Sequence, residues 1–123
     1  FARENQYVLN IYNRKCFLFD SSNKQIFDRM AINAPIQSSA SDIIKLAMIR
    51  AHKAFMGGAT KAKMILQIHD EIIFVVKKSE LESSLIEINE IMKPDTALDG
   101  SPDFLIKIPI PVNLHTSDNF VFK

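Results

Sequence analysis

A single cysteine, Cys16, is all the thiol chemistry this 123-residue chain carries. That excludes an internal disulfide and fits a reducing compartment. The simplest role for Cys16 is that of a small core hydrophobe. Long hydrophobic runs are missing too: none approaches the ~20 apolar residues that a membrane-spanning helix needs, so no membrane partner is expected. No signal peptide is visible, and the expectation is a protein that is not secreted. Charge of one sign is also lacking. Fifteen Lys and Arg face 14 Asp and Glu, a formal net charge of +1. Global electrostatics therefore announces no nucleic-acid partner, and any basic surface has to be local. Internal repeats and low-complexity tracts are absent.

What is present suffices for a core. Hydrophobic residues make up 47% of the chain, an ordinary globular share, and the length suits one domain or a piece of one. The first residue is Phe1, in what reads as the middle of a helix, so a fragment is expected.

Residues 1–12 space Phe1, Tyr7, Val8, Ile11 and Tyr12 like the tail of a helix or a passage from helix to strand. An extended run over 14–19 and a loop over 20–24 follow. A helix is expected from about Lys24 to Asn33, ended by Pro35, which pushes the residue before it out of the helical region. A further helix, about Gln37 to Phe55, repeats Ile43, Ile44, Ala47, Met48, Ala51 and Phe55 at three- and four-residue steps. Gly57 and Gly58 stop it. Two strands read over about 62–68 and 71–77. Ser79-Glu80-Leu81-Glu82 has the pattern of a capping box. The helix it opens has Leu81, Leu85, Ile88 and Met92 as its buried face, and Pro94 closes it. After a polar loop, residues 104–112 read as a last strand, placed at an edge by Pro109 and Pro111. The expected fold is α+β: an antiparallel sheet, built of a β-hairpin plus a third, edge strand, with helices packed on one face.

The most informative stretch is Gln67-Ile68-His69-Asp70-Glu71, a polar break between the apolar runs 64–66 and 72–76. Two β-rich runs around an acidic break make a hairpin with the acids at its tip. Two adjacent carboxylates, if buried, need a compensating charge. A hard divalent cation such as Mg²⁺ supplies one and suits phosphoryl chemistry. The plainer reading is a polar turn, since Asp favours turns. Against it, the break holds no Gly, Asn or Pro for a tight reversal.

Arg29, Asn33 and Gln37 stand four residues apart. On a continuous helix they would form one polar row, although Pro35 could start a new helix at Gln37. Such a row suits base edges and sugars in a minor groove. A solvated helix face with no partner is the alternative.

With these residues in view, the stretch from Asp28 to Gln37, then Ala40 and Asp42-Ile43-Ile44-Lys45, followed by Gln67-Ile68-His69-Asp70-Glu71, resembles family A DNA polymerases, most of all their bacterial members. Arg3-Glu4-Asn5, Tyr7-Val8 and Arg14-Lys15 resemble the segment leaving the fingers subdomain. Val112 and Asn119-Phe120 fall where the family's closing strand and its end lie. The resemblance implies that Asp70 is a catalytic metal ligand, Glu71 a supporting carboxylate, and His69 a neighbour of the primer terminus. It implies that Arg29, Asn33 and Gln37 touch the primer–template duplex, with Gln67 beside them, and that Arg14 and Lys15 lie near the template path.

The same resemblance implies an organisation. Residues 1–23 leave the fingers, 24–56 form the DNA-contact helices, 62–77 the catalytic hairpin, and 79–123 a C-terminal helix and strand. Together they make the C-terminal part of the palm. The second metal-binding aspartate and the nucleotide-binding helix would lie outside this chain. The implied activity is DNA-directed DNA synthesis with a two-metal Mg²⁺ site, completed by the remainder of the polymerase chain. Its partners would be primer–template DNA and a deoxynucleoside triphosphate, in the bacterial cytoplasm or an organelle. Departures from the family pattern are Ser38 for a usual Gly, Ser41 for another small residue, Asn13 for a Gly, no Pro near Phe19, and Phe120 where Trp is common. Ser38 matters most, because a larger side chain there weakens a close approach to DNA.

Two rivals stand beside this reading. One is a non-catalytic nucleic-acid-binding remnant or subunit that keeps the polar row. The other is an unrelated metal-dependent hydrolase using His69 and Asp70, for which His52 and His115 are the only other histidines.

Overall fold

The computed structural model describes residues 1–19, 22–58, 61–93 and 110–118. Helix α1, Ala2–Asn5, is a single turn that ends where Gln6 takes a left-handed conformation, φ 57°. Strand β1 (Tyr7–Leu9) follows at once, so the opening segment is the helix-to-strand passage. It pairs antiparallel with β2 (Lys15–Phe17), Tyr7 opposite Phe17 and Leu9 opposite Lys15.

The largest departure from expectation is α2. One helix runs Lys24–Met56 with Pro35 inside it, where two helices divided at Pro35 were expected. Asn23 caps its start by accepting from the backbone N–H groups of Gln25 and Ile26, the usual service of an Asn at that position. A proline inside a helix removes one hydrogen bond and crowds the carbonyl four residues back, at a cost of ~3 kcal/mol or more. A contact from the β1–β2 connection holds the turn after the proline in place. The hydroxyls of Ser38 and Ser39 both donate to the Pro35 carbonyl. Ser39 is buried and also accepts from the Ile11 N–H at 3.2 Å, which pins the β1–β2 connection onto the turn after the proline.

That connection is organised by Asn10, only 5% exposed. Its Oδ1 accepts from the N–H groups of Tyr12 and Arg14, both at 2.9 Å, and its amide donates to Asp42 on α2. Arg14 grips the same carboxylate with two prongs, Nε at 2.7 Å and a terminal nitrogen at 3.0 Å.

The segment read as a hairpin, residues 62–77, folds as expected in outline. Strand β3 (Lys63–Ile68) pairs antiparallel with β4 (Glu71–Val75). A register shift between Met64 and Leu66 leaves Ile65 as an extra residue, a bulge that twists the pair. Phe74 meets Phe55 of α2 edge to face, ring centres 5.6 Å apart, and so seats the hairpin on the helix's C-terminal end.

Helix α3, Leu81–Met92, is preceded by a tight 3₁₀ turn over Lys78–Glu80. The expected capping box does not form. The turn draws Ser79 into its own helical geometry, so Glu80 holds the cap position without a side-chain bond. Ser83 instead donates to the Glu80 carbonyl. Ile88 and Ser84 are buried, with Leu81, Leu85 and Met92 half-buried beside them. On α2, Ala47 and Ala51 are buried, 1% and 0% exposed. Arg50 ties the two helices by donating to the Ile91 and Lys93 carbonyls, both at 2.9 Å, which satisfies carbonyls that a helix end leaves open.

The described sheets are two separate two-stranded ribbons. Most of the expected third strand, residues 104–109, lies outside the described residues, and Ile110–Val112 is not in a strand. Mixed helices and antiparallel strands make the fold α+β.

Candidate functional site

Strand β3 ends at Ile68 and β4 begins at Glu71, paired with it, so only His69 and Asp70 reverse the chain. A two-residue reversal matches the strands' twist when its first central residue takes positive φ. His69 does so, at 51°. Such a conformation is uncommon for a residue with a Cβ, although His visits it more than most. The turn that composition argued against is therefore made by a histidine held in the left-handed region. The Gln67 side-chain amide donates to the His69 carbonyl at 2.5 Å across the base of the turn.

Gln67, His69, Asp70 and Glu71 are all exposed. The carboxylates are not buried, so water solvates them and no cation is needed to offset desolvation. No ion pair joins Asp70 or Glu71 to another described residue. As a metal site the tip is partial. Its hard oxygens suit Mg²⁺, but that ion wants a near-octahedral shell. Among the described residues no three His, Cys, Asp or Glu side chains gather to hold a metal.

The unbroken α2 resolves the question left open at Pro35. Arg29, Asn33 and Gln37 form one continuous row, and all three are exposed. At ~1.5 Å of rise per residue the row is about 12 Å long. The same side of the helix continues through Ala40, Ile44, Ala47, Ala51 and Phe55 at steps of three and four residues. Its lower half is covered where α3 and the β3–β4 hairpin pack; its upper half is bare and polar. The polar row and the acidic hairpin thus share one face of one helix.

Arg14 and Lys15 lie on the other ribbon, and both are engaged within the chain. Lys15 Nζ sits 4.5 Å from the centre of the Tyr7 ring, a cation–π distance. Arg14 is held by Asp42, whose side chain is 13% exposed, and donating hydrogen bonds to that carboxylate raises the guanidinium's already high pKa. Burial alone would raise the Asp42 carboxyl. The hydrogen bonds from Arg14 and Asn10, with the charges of Arg14 and Lys45, outweigh burial and hold it below the usual carboxylate range. This Asn10–Arg14–Asp42 cluster escaped sequence reasoning. The one signal was an aspartate placed on the helix side opposite the exposed row.

Residues 1–121 match the sequence profile of DNA polymerase family A. DNA polymerase I of Streptococcus pneumoniae serotype 4 is 41% identical over 97 residues, which cover 75% of this chain and 11% of that protein. DNA polymerase I of Caldicellulosiruptor bescii is 34% identical over 125 residues, 98% of this chain and 14% of its own length. Among solved structures, the POL domain of Pol1 from M. smegmatis, in complex with DNA primer-template and dNTP, aligns with a TM-score of 0.64 and 38% identity, over 74% of this chain and 17% of that one. The chain belongs to DNA polymerase family A. It spans about a seventh or less of the length of the curated relatives described here. No helix among the described residues is long and apolar enough to cross a membrane.

Proposed function

We propose that this chain is the C-terminal part of the palm of a DNA-directed DNA polymerase, contributing one part of a two-metal nucleotidyl-transfer site. The observation that carries this is the shared face of α2: an exposed Arg29–Asn33–Gln37 row running toward the hairpin that presents Asp70 and Glu71. A duplex lying along the row would reach the acidic tip with its primer end. The solved relative's complex with primer-template and dNTP supports those two ligands as the partners.

In this reading the row does the positioning. Arg29, Asn33 and Gln37 offer donors to minor-groove acceptors, whose pattern differs little between base pairs, so the contacts report pair shape rather than sequence. His69, at the turn, lies by the primer terminus. Asp70 would hold Mg²⁺, with Glu71 as a second carboxylate nearby. When bound, the metal would lower the pKa of the attacking 3′-hydroxyl and stabilise charge on the leaving pyrophosphate. The second metal-binding carboxylate and the nucleotide-binding helix would come from the remainder of the polymerase chain, and this chain alone would not extend a primer. The polymerase would work in the bacterial cytoplasm or an organelle.

The test is Asp70→Ala in the full-length polymerase. Turnover should fall by on the order of 100-fold or more, since a metal ligand contributes several kcal/mol of charge stabilisation, while primer–template affinity changes little. Wild-type turnover would refute the assignment. A full-length protein that binds duplex but never incorporates nucleotides, with or without the substitution, would favour a non-catalytic DNA-binding role.

A further inference from the structure

We propose that Gln67 is a positioning residue, whose side-chain amide braces the His69 turn and so sets the direction in which Asp70 presents its carboxylate. This rests on the reading of Asp70 as a metal-binding carboxylate of nucleotidyl transfer.

Asp70 stands at the tip of the β3–β4 hairpin. Its side chain is exposed and has no ion pair with another described residue. Its direction is therefore inherited from the backbone. The carbonyl of His69 and the N–H of Asp70 belong to one planar peptide unit. Tilting that plane rotates Asp70 about its own backbone and swings the carboxylate. The plane sits in a strained place, because His69 must keep φ at 51°, a region that a Cβ disfavours.

One side-chain contact acts on this plane. Gln67 Nε2 donates to the His69 carbonyl oxygen. A carbonyl can only accept, so the Gln67 atom facing it is the amide nitrogen, which fixes the amide's orientation. Gln67 is well placed for this. It lies in β3 opposite Ile72, one residue before the pair that closes the ribbon. Its backbone is anchored while its side chain reaches two residues along to the turn. One N–H of the amide is spent in this way; the second N–H and Oε1 take no part in this bond.

The test uses the full-length polymerase and Gln67→Met, which keeps an unbranched side chain of similar length and removes the donor. The rate of nucleotide incorporation should fall about 10- to 100-fold and the Mg²⁺ midpoint should rise, as for other residues that orient a metal ligand. Primer–template affinity should stay within about twofold, because no duplex contact is lost. Gln67→Glu, which turns an acceptor toward the carbonyl, should lose at least as much and covers the case in which the first variant is poorly folded. In a His69→Gly background positive φ carries no penalty, and adding Gln67→Met should then cost less than about threefold, a non-additivity expected of residues acting through one turn.

A wild-type rate and Mg²⁺ midpoint for Gln67→Met would overturn the proposal. So would weakened primer–template binding with an unchanged Mg²⁺ midpoint, which would make Gln67 a DNA contact. An undiminished loss in the His69→Gly background would overturn it too. Asp70→Ala run alongside separates the failures. If Asp70→Ala is inactive and Gln67→Met is wild-type, only the brace is wrong; if Asp70→Ala is active, the underlying reading fails.

Discussion

The two β-ribbons are built alike and use their charges differently. Each is antiparallel, each packs on α2, and each connection carries a non-glycine residue at positive φ, Asn13 at 58° in one and His69 at 51° in the other. In β1–β2 the charges are spent inside the chain. Arg14 and Asn10 converge on Asp42, Lys45 approaches it at 3.7 Å, and Lys15 rests over Tyr7. In β3–β4 the tip leaves Asp70 and Glu71 in solvent without an ion-pair partner among the described residues. Among the described residues, the side-chain hydrogen bond at the tip goes to the backbone, from Gln67. Paired and partly covered charges read as architecture. The acids on the held turn have no ion-pair partner among the described residues, and under the proposed function they serve the reaction.

That contrast can be broken by mutation. The largest stability effect is expected for Asn10→Ala. It strips partners from two backbone N–H groups and from Asp42 in a covered place, and buried unsatisfied groups cost about 1–3 kcal/mol each. A loss of roughly 3 kcal/mol should appear in urea unfolding as a lower midpoint at unchanged slope. An unaltered midpoint would mean that the β1–β2 connection needs no such hub. Next come Arg29→Ala and Gln37→Ala in the full-length protein. Each should weaken primer–template binding by about 1–3 kcal/mol and blunt discrimination against mismatches near the terminus. Neither should change stability appreciably, since both side chains are exposed. Equal binding of matched and mismatched duplexes by the variants and the parent would reduce the row to a solvated helix face.

A smaller effect is the response to acid. Asp42 titrates below its unfolded value of ~3.9. Its contribution to stability is therefore complete above that pH and is lost as the pH falls through the lower, folded value. Asp42→Asn should flatten the fall in stability below about pH 4. Melting curves with the same acid slope in parent and variant would contradict the cluster's role.

Much of this was legible from residues, in proportion to how local the cause is. The β3–β4 hairpin showed itself because two apolar runs flank one polar break. The turn that closes it did not, since a histidine at positive φ leaves no compositional mark and its brace is a side-chain contact. The polar row was visible as a spacing, but its reality depended on whether α2 survives Pro35. The local rule for proline said no. The packing of the β1–β2 connection overrode it, and that packing joins residues 28 apart. The Asp42 cluster joins residues 28 and 32 apart. Periodicity could place Asp42 on the side of α2 opposite the exposed row, but it could not name Asn10 and Arg14 as its partners. The capping box failed for a nearer reason: a 3₁₀ turn moved the helix start past Ser79.

The central claim is that the charges of one ribbon hold the fold and those of the other serve the reaction. Its most direct test is to compare Asp42→Asn with Asp70→Asn in the full-length polymerase, measuring melting temperature and single-turnover incorporation on the same preparations. The account predicts a crossed result. Asp42→Asn lowers the melting temperature and, below it, leaves incorporation within a few-fold of the parent. Asp70→Asn leaves melting unchanged and lowers incorporation by on the order of 100-fold or more. Parent-like incorporation by Asp70→Asn, or a melting loss that follows Asp70 rather than Asp42, would contradict it.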